Sequence, residues 1–277
     1  MRRRLQGIRM QGVRYCQTEC LELALLEFFG RARAVPHHAA VASHRIPLGL
    51  LLLSRQQLTA AQLRTALAAQ RAAGRGKIGR WLQELGFATE HQVTAALARQ
   101  WCCPVLRTNP LTMGASRLPP IPALLLESFQ MMPVELVEAT GTLFIAFSEG
   151  IDYTILYAIE QMLGYHTEPC LVCPSALRKS LQGLVRHRGS GDVIFDRVED
   201  AGECAHIIGN YSAKVGAKEV RLARCGEHLW VRLERLRQET LNLVLRIPTD
   251  TPVPPPVLPI LLPPTRTKAR TARADNS

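Results

Sequence analysis

Cys170 and Cys173, in the stretch CLVC, stand at the one C-x-x-C spacing of the chain. That spacing can hold a zinc ion or interconvert dithiol and disulfide. A zinc site also wants a second such pair or two histidines at ligand spacing. Neither the adjacent Cys102 and Cys103 nor Cys16 and Cys20 supplies one. A strand over residues 165–173 would send positions i and i+3 to opposite faces, so the pair would not converge on one ion. Phosphate chemistry is no better provided for: no G-x-x-x-x-G-K-[ST] occurs, and GRGKIG, at residues 74–79, has neither the spacing nor the hydroxyl of a magnesium–phosphate cradle. No Ser/His/Asp set, paired carboxylates or Cys–His pair is gathered locally. The expectation is a protein that is not an enzyme, with no metal and no certain cofactor.

The strongest pattern in the chain positions residues rather than reacting. PLGLLLLSRQQLTAAQLRTALAAQ, at 47–70, and KIGRWLQELGFATEHQVTAALARQ, at 77–100, share one frame at a constant offset of thirty. Gly49/Gly79, Leu52/Leu82, Thr59/Thr89, Gln62/Gln92, Ala66/Ala96, Leu67/Leu97, Ala68/Ala98 and Gln70/Gln100 are identical pairs. In each copy a short apolar helix is followed by T-x-x-Q, a capping box that opens a second helix. Leu63, Ala66, Leu67 and Gln70, and then Val93, Ala96, Leu97 and Gln100, fall at i, i+3, i+4 and i+7 on one helical face. Each repeat is therefore a helical hairpin. Two such hairpins are too few for a solenoid, so they must pack on each other or on the downstream part of the chain.

After a proline-rich stretch, CCPVLRTNPLTMGASRLPPIP, the period changes. IPALLLESF reads as a helix, MMPVELVEA and GTLFIAFSE as two strands about a turn at Gly141, DYTILYAIEQMLG as a helix, YHTEPCLVC as a strand and PSALRKSLQGLVRHRG as a helix opening at Pro174 and Ser175. A shorter unit over about 199–248 offers a helix, strands KEVRLARC and HLWVRLERL about Gly226 and Glu227, and a last strand TLNLVLRIP. At about 50 residues it has little core of its own. Ahead of the repeats, residues 17–29 form a helix ending at Gly30 as a C-cap. The connector behind it holds His37 and His38 as loop residues. The fold class is α+β: the hairpin pair packed on a small mixed sheet, then a small second α/β unit. The expected organisation is a helical extension and linker over 1–43, a domain over 44–187 made of hairpins at 44–106 and an α/β part at 107–187, a small α/β unit at 188–248, and a disordered tail at 249–277.

Composition narrows the function classes. The 277 residues are 47% hydrophobic but only 5% aromatic, which favours Leu- and Ala-rich helix packing over strand. Part of the +11 formal charge sits near the ends, on Arg2, Arg3, Arg4, Arg9 and Arg14 and on Arg266, Lys268, Arg270 and Arg273, and is most simply solvated. CLELALLEFF is interrupted by Glu22 and Glu27, so it does not make a secretory signal. VPPPVLPILLPP is too short and proline-rich to span a membrane, which takes about 20 residues. The expected location is cytoplasmic, where the eight cysteines are reduced thiols.

The doubled frame, with its closing LARQWCCPVL at 97–106, resembles the N-terminal domain of the type II secretion and type IV pilus assembly ATPases over residues 44–187. SAKVGAKEVRL and HLWVRLER, at 212–222 and 228–235, resemble the start of that family's next domain. The resemblance does not bring the motor with it, since the nucleotide-binding loop is missing from this sequence. What it implies is a non-catalytic regulatory or adaptor protein that docks on secretion or pilus machinery, with membrane association only peripheral and through partners. In some relatives the twin motif binds cyclic di-GMP. The candidate contacts here are then Arg45, Leu48, Gly49, Leu52, Lys77, Ile78, Gly79, Leu82 and Gly86. A guanidinium forks onto acceptor oxygens or stacks on a base, and glycine lets helix-start N–H groups approach a phosphate. The sequence departs from the family motif at Pro47, where an arginine is usual and Arg45 is the nearest substitute, at Lys77, a lysine for arginine, and at Gln56, where the first copy lacks the glycine that Gly86 keeps in the second. Helix packing alone also accounts for the glycines and leucines. The alternative function is nucleic-acid binding through the basic hairpins, which AAQLRTALAAQ disfavours by offering mainly alanine where base edges want polar side chains.

Overall fold

The computed structural model describes residues 7–31, 45–106, 118–187, 191–235 and 239–247. Arg2, Arg3 and Arg4, the connector with His37 and His38, much of the proline-rich stretch and the tail from Thr249 lie outside the described residues.

The chain opens with a hairpin of β1 (Ile8–Met10) and β2 (Val13–Tyr15), leading into α1 (Thr18–Arg31). The sequence reading has only a helix here. Three-residue strands are too short to display a period of two, and the partner that stabilises β1 lies near the other end of the chain. Gly30 is inside α1 and does not cap it.

The doubled frame folds as two hairpins, α2 (Leu48–Ser54) with α3 (Ala60–Ala73) and α4 (Ile78–Glu84) with α5 (Glu90–Gln100). Both capping boxes form: Thr59 and Thr89 accept from the N–H groups of Gln62 and Gln92 at 3.2 Å, and the glutamines accept from the threonine N–H groups at 2.9 and 2.8 Å. The hairpins interleave, with α2 against α5 and α3 against α4. Leu52, Leu58, Leu82, Val93 and Ala96 are buried between them.

Next come α6 (Ala123–Ser128), β3 (Met131–Val137), β4 (Thr142–Phe147), α7 (Tyr153–Leu163), β5 (His166–Leu171) and α8 (Pro174–His187). β4 pairs antiparallel with β3 and parallel with β5, making a three-stranded mixed sheet. The turn at Gly141 uses φ +64°, and α7 runs from an Asp152 cap to Gly164 at φ +76°. The hairpins sit on this sheet through α5, whose Leu97 and Ala98 join the core of Ile145, Phe147 and Leu171.

The remaining elements are β6 (Asp192–Phe195), α9 (Ala201–Val215), β7 (Glu219–Cys225), β8 (His228–Glu234) and β9 (Thr240–Arg246). They build a six-stranded sheet in the order β2-β1-β7-β8-β9-β6, with β1 parallel to β7 and β6 parallel to β9. β6 is also absent from the sequence reading, being four residues whose partner is distant in sequence. The core of this unit is larger than residues 188–248 alone can supply. Met10, Leu21, Leu25 and Phe29 from the N-terminal segment pack with Ile208, Val220, Leu229, Val231 and Leu243, and α1 lies along α9.

The two sheets share α7, which touches both β5 and β7, and Cys225, Trp230 and Val244 of the larger sheet belong to the same core as Ile155 and Ile159. A polar chain reinforces the join. Trp230 Nε1 donates to Asn242 Oδ1 at 3.1 Å, Asn242 Nδ2 donates to Asp192 Oδ1 at 3.1 Å, and the Ala123 N–H at the start of α6 donates to Asp192 Oδ2 at 3.3 Å. The buried indole and amide thereby avoid the roughly 1–3 kcal/mol cost of a polar group left unmatched. Among the described residues, Ser212 Oγ in α9 and Arg232 Nη1 in β8 are buried without such a partner.

Candidate functional site

An open groove runs between the start of α4, the end of α5 and the loop after β4. At about 1420 Å³ it exceeds the roughly 300–1,000 Å³ of a fitted small-molecule pocket. Leu48, Lys77, Ile78 and Gly79 line it from the hairpins, with Gln100 and Trp101 behind them and Glu149, Gly150 and Asp152 opposite.

The sequence candidates divide by burial. Leu52 and Leu82 are fully buried in the hairpin core, and Leu48 nearly so. Gly49 and Gly79 are buried because side chains press on them: a Cβ at Gly49 would meet Leu63 Cδ1 at 2.7 Å, and one at Gly79 would meet Val93 Cγ1 at 2.9 Å and Leu48 Cδ2 at 3.1 Å. Leu63 and Val93 are themselves equivalent at the offset of thirty, so both glycines serve the same close approach. Gly86 lies outside the groove lining, in the turn between α4 and α5 at φ +71°, and Gln56 holds the matching turn at φ +57°. Ile78 is half-buried against the hairpin core.

The two cations are engaged with protein partners. The Arg45 guanidinium lies over the Trp101 ring, 3.2 Å from its centroid. Lys77 caps α4 without a side-chain hydrogen bond to the helix, and its Nζ pairs with Glu149 Oε2 at 2.9 Å, both side chains being mostly exposed. Arg80 pairs with Glu84 at 2.7 Å, and that carboxylate pushes the guanidinium further up from its ordinary value, by hydrogen bond first and charge second. Glu90 accepts from the Ser175 N–H at 2.7 Å and from its hydroxyl at 2.6 Å, and Asp152 accepts from the Thr154 N–H at 2.8 Å. The groove thus sets Lys77, Arg80 and Arg178 against Glu84, Glu90, Glu149 and Asp152, three cations to four carboxylates. An anion approaching Lys77 or Arg80 must displace a carboxylate from the cation.

Trp101, Glu149 and Glu90 escape sequence reasoning because none sits at a motif position of its own. The one available signal for Trp101 is its place directly after the closing Gln100 of the second copy.

Cys170 and Cys173 are buried free thiols. Cys170 lies in β5 against the Ile145 carbonyl, and burial pushes its thiol up to about 12, with Cys103 adding to the rise. Cys173, beyond the end of the strand, contacts His91 Nδ1 at 3.6 Å and the Thr94 hydroxyl at 3.7 Å. Burial raises its thiol, the Thr94 hydrogen bond lowers it, and Glu90 raises it again. Among the described residues no group of three or more His, Cys, Asp or Glu side chains is arranged to hold a metal ion. No helix among them is long and apolar enough to cross a membrane.

No protein-family model and no curated protein matches the chain. Among solved structures it is similar to MshE with cdg, at a TM-score of 0.43 and 28% identity, over 50% of this chain and 99% of that one. It is also similar to the N-terminal domain of XpsE in two crystal forms, at TM-scores of 0.38 and 0.31 and identities of 19% and 18%, over 49% and 53% of this chain and 91% and 98% of those. Each of these similarities covers about half of this chain.

Proposed function

We propose that the chain is a cytoplasmic, non-catalytic regulatory or adaptor module of the secretion and pilus assembly type, which docks on that machinery and takes cyclic di-GMP as its regulatory ligand. The observation that carries this reading is the interleaved pair of capped hairpins seated on a small mixed sheet, with Arg45, Leu48, Lys77, Ile78 and Gly79 gathered around Trp101 and the groove beside it. Because the Arg45 guanidinium covers the Trp101 ring, a guanine ring stacks on the outer face of that guanidinium or takes its place on the indole. A phosphate has Lys77, once Glu149 is displaced. The choice of ligand rests on the twin motif and on these stacking and charged groups together. The nucleic-acid reading gains little from the hairpins: beside Arg64, Thr65 and Arg71, the exposed residues of α3 are alanines.

Calorimetric titration of the full chain with cyclic di-GMP tests the ligand. Binding is expected, weakened more by Lys77→Ala than by Pro47→Ala and strengthened by Glu149→Gln, which removes the competing carboxylate. No heat, or equal losses for the two alanine variants, removes the ligand or its residue assignment. Co-purification from the native cells tests the adaptor role separately: a secretion or pilus assembly component is expected in the eluate, and its absence overturns that role.

A further inference from the structure

We propose that Cys16 and Cys20 form a thiol-exchange site, a surface dithiol that a low-molecular-weight disulfide such as glutathione disulfide converts to an intramolecular disulfide. Their sulfur atoms lie 3.5 Å apart and share one S–H hydrogen bond. Cys16 is exposed and Cys20 half-buried, so both are open to a small reagent. A disulfide needs a sulfur–sulfur distance of about 2.05 Å, so the two sulfurs have about 1.5 Å left to close. The chain between them is already curled, since the Leu21 N–H donates to the Gln17 carbonyl and closes the first turn of α1.

The setting also divides the roles. The Cys20 thiol is raised by the hydrogen bond to Cys16, then by the charge of Cys16, with a further rise from desolvation. Cys16, the more exposed of the two, is the sulfur that a reagent reaches first, and Cys20 is the resolving one. The Cys16 thiolate attacks one sulfur of glutathione disulfide, forming a Cys16–glutathione mixed disulfide and expelling one glutathione thiolate. Cys20 gives up its proton to solvent, attacks the Cys16 sulfur and expels the second glutathione. Two electrons pass from the protein to the reagent, and the two thiol protons end on the two glutathiones or in solvent.

The other cysteines lack this combination. Cys170, Cys204 and Cys225 are buried, and burial holds all three thiols well above the ordinary range. Cys103 is half-buried and pushed up to about 11, by burial first and by Cys102 second. Closure would tie the end of the β1–β2 hairpin to the first turn of α1, the helix that supplies Leu21, Leu25 and Phe29 to the core of the larger sheet.

The test is incubation of the full chain in mixtures of reduced and oxidised glutathione, followed by alkylation and peptide mapping by mass spectrometry. The expected result is a Cys16–Cys20 disulfide that appears before any other cysteine is modified, with Cys20→Ser stalling as the Cys16–glutathione adduct. The wild-type map decides without relying on a variant. A mixed disulfide that accumulates at either residue without closing overturns the proposal, and so does a pair that stays alkylated while other cysteines oxidise.

Discussion

Gln100 donates its side-chain amide to the carbonyl of Ile46 at 2.7 Å, across 54 residues of sequence. Gln70, its equivalent, donates to the carbonyl of Gly76 at 2.7 Å. Ile46 and Gly76 are equivalent too, each preceding its repeat by one residue, so the last side chain of each copy holds the start of the other. The repeat is therefore a reciprocal lock, and the frame shared by the two copies follows from it. A one-residue shift in either copy would break both the Gln contact and the glycine approach.

Gln100→Ala and Gln70→Ala are each expected to cost about 0.5–1.5 kcal/mol of stability, the usual net value of a hydrogen bond. The two contacts share no partner, so the double variant should lose the sum. Urea denaturation of the four proteins measures this. A double variant no less stable than either single one would show that the contacts do not hold the hairpins together.

The turns between the helices of each copy give a second test. Gln56 and Gly86 both adopt positive φ, at +57° and +71°, and a Cβ at Gly86 meets nothing within 4 Å. The difference between them is backbone strain alone, about 1 kcal/mol for a non-glycine residue in the left-handed region. Gln56→Gly is expected to raise the stability by about that amount and Gly86→Ala to lower it by as much, read from the urea midpoint. A destabilised Gln56→Gly protein would mean that the Gln56 side chain makes contacts worth more than the strain.

How far the sequence carries is visible in these same residues. The period of 3.6, the T-x-x-Q caps and the offset of thirty lie within a few residues of each other, so the hairpins are directly legible. The reciprocal glutamine contacts are not, because a side-chain-to-carbonyl bond leaves no pattern in the residue that supplies the carbonyl. β1, β2 and β6 stay hidden for a related reason: they are three or four residues long, and the sheet they join is completed by β7 and β9 far along the chain. At the candidate site, the motif points to Lys77 and Arg45 but gives no hint that Glu149 and Trp101 meet them.

The two motif glycines should differ in their tolerance of a methyl group. At Gly49 the obstacle is the end of the Leu63 side chain, which can turn aside; at Gly79 it is Val93, a β-branched residue with a stiff χ1, with Leu48 close behind. Overpacking of this kind costs about 1–3 kcal/mol. Gly79→Ala is expected at the upper end and Gly49→Ala at the lower, measured by thermal unfolding. Equal losses would place the cost in the backbone rather than in the facing side chain.

Glu90 joins the hairpins to the sheet domain. It stands in the first turn of α5, and both its carboxylate oxygens accept from Ser175 in the first turn of α8, at 2.7 and 2.6 Å. α8 needs this partner, since Cys173, whose carbonyl accepts the first helical bond from Leu177, offers no oxygen to cap the free N–H groups. One carboxylate therefore meets the positive ends of two helices at once. Because the bonds are charge-assisted, Glu90→Ala is expected to cost about 1.5–3 kcal/mol, and Glu90→Gln less, as it keeps one acceptor. A double-mutant cycle with Ser175→Ala isolates the hydroxyl contact, since the backbone N–H at position 175 remains a donor: the coupling should be about 1 kcal/mol, and a coupling near zero would leave the backbone N–H bond and the helix-start effect as the whole of what Glu90 contributes.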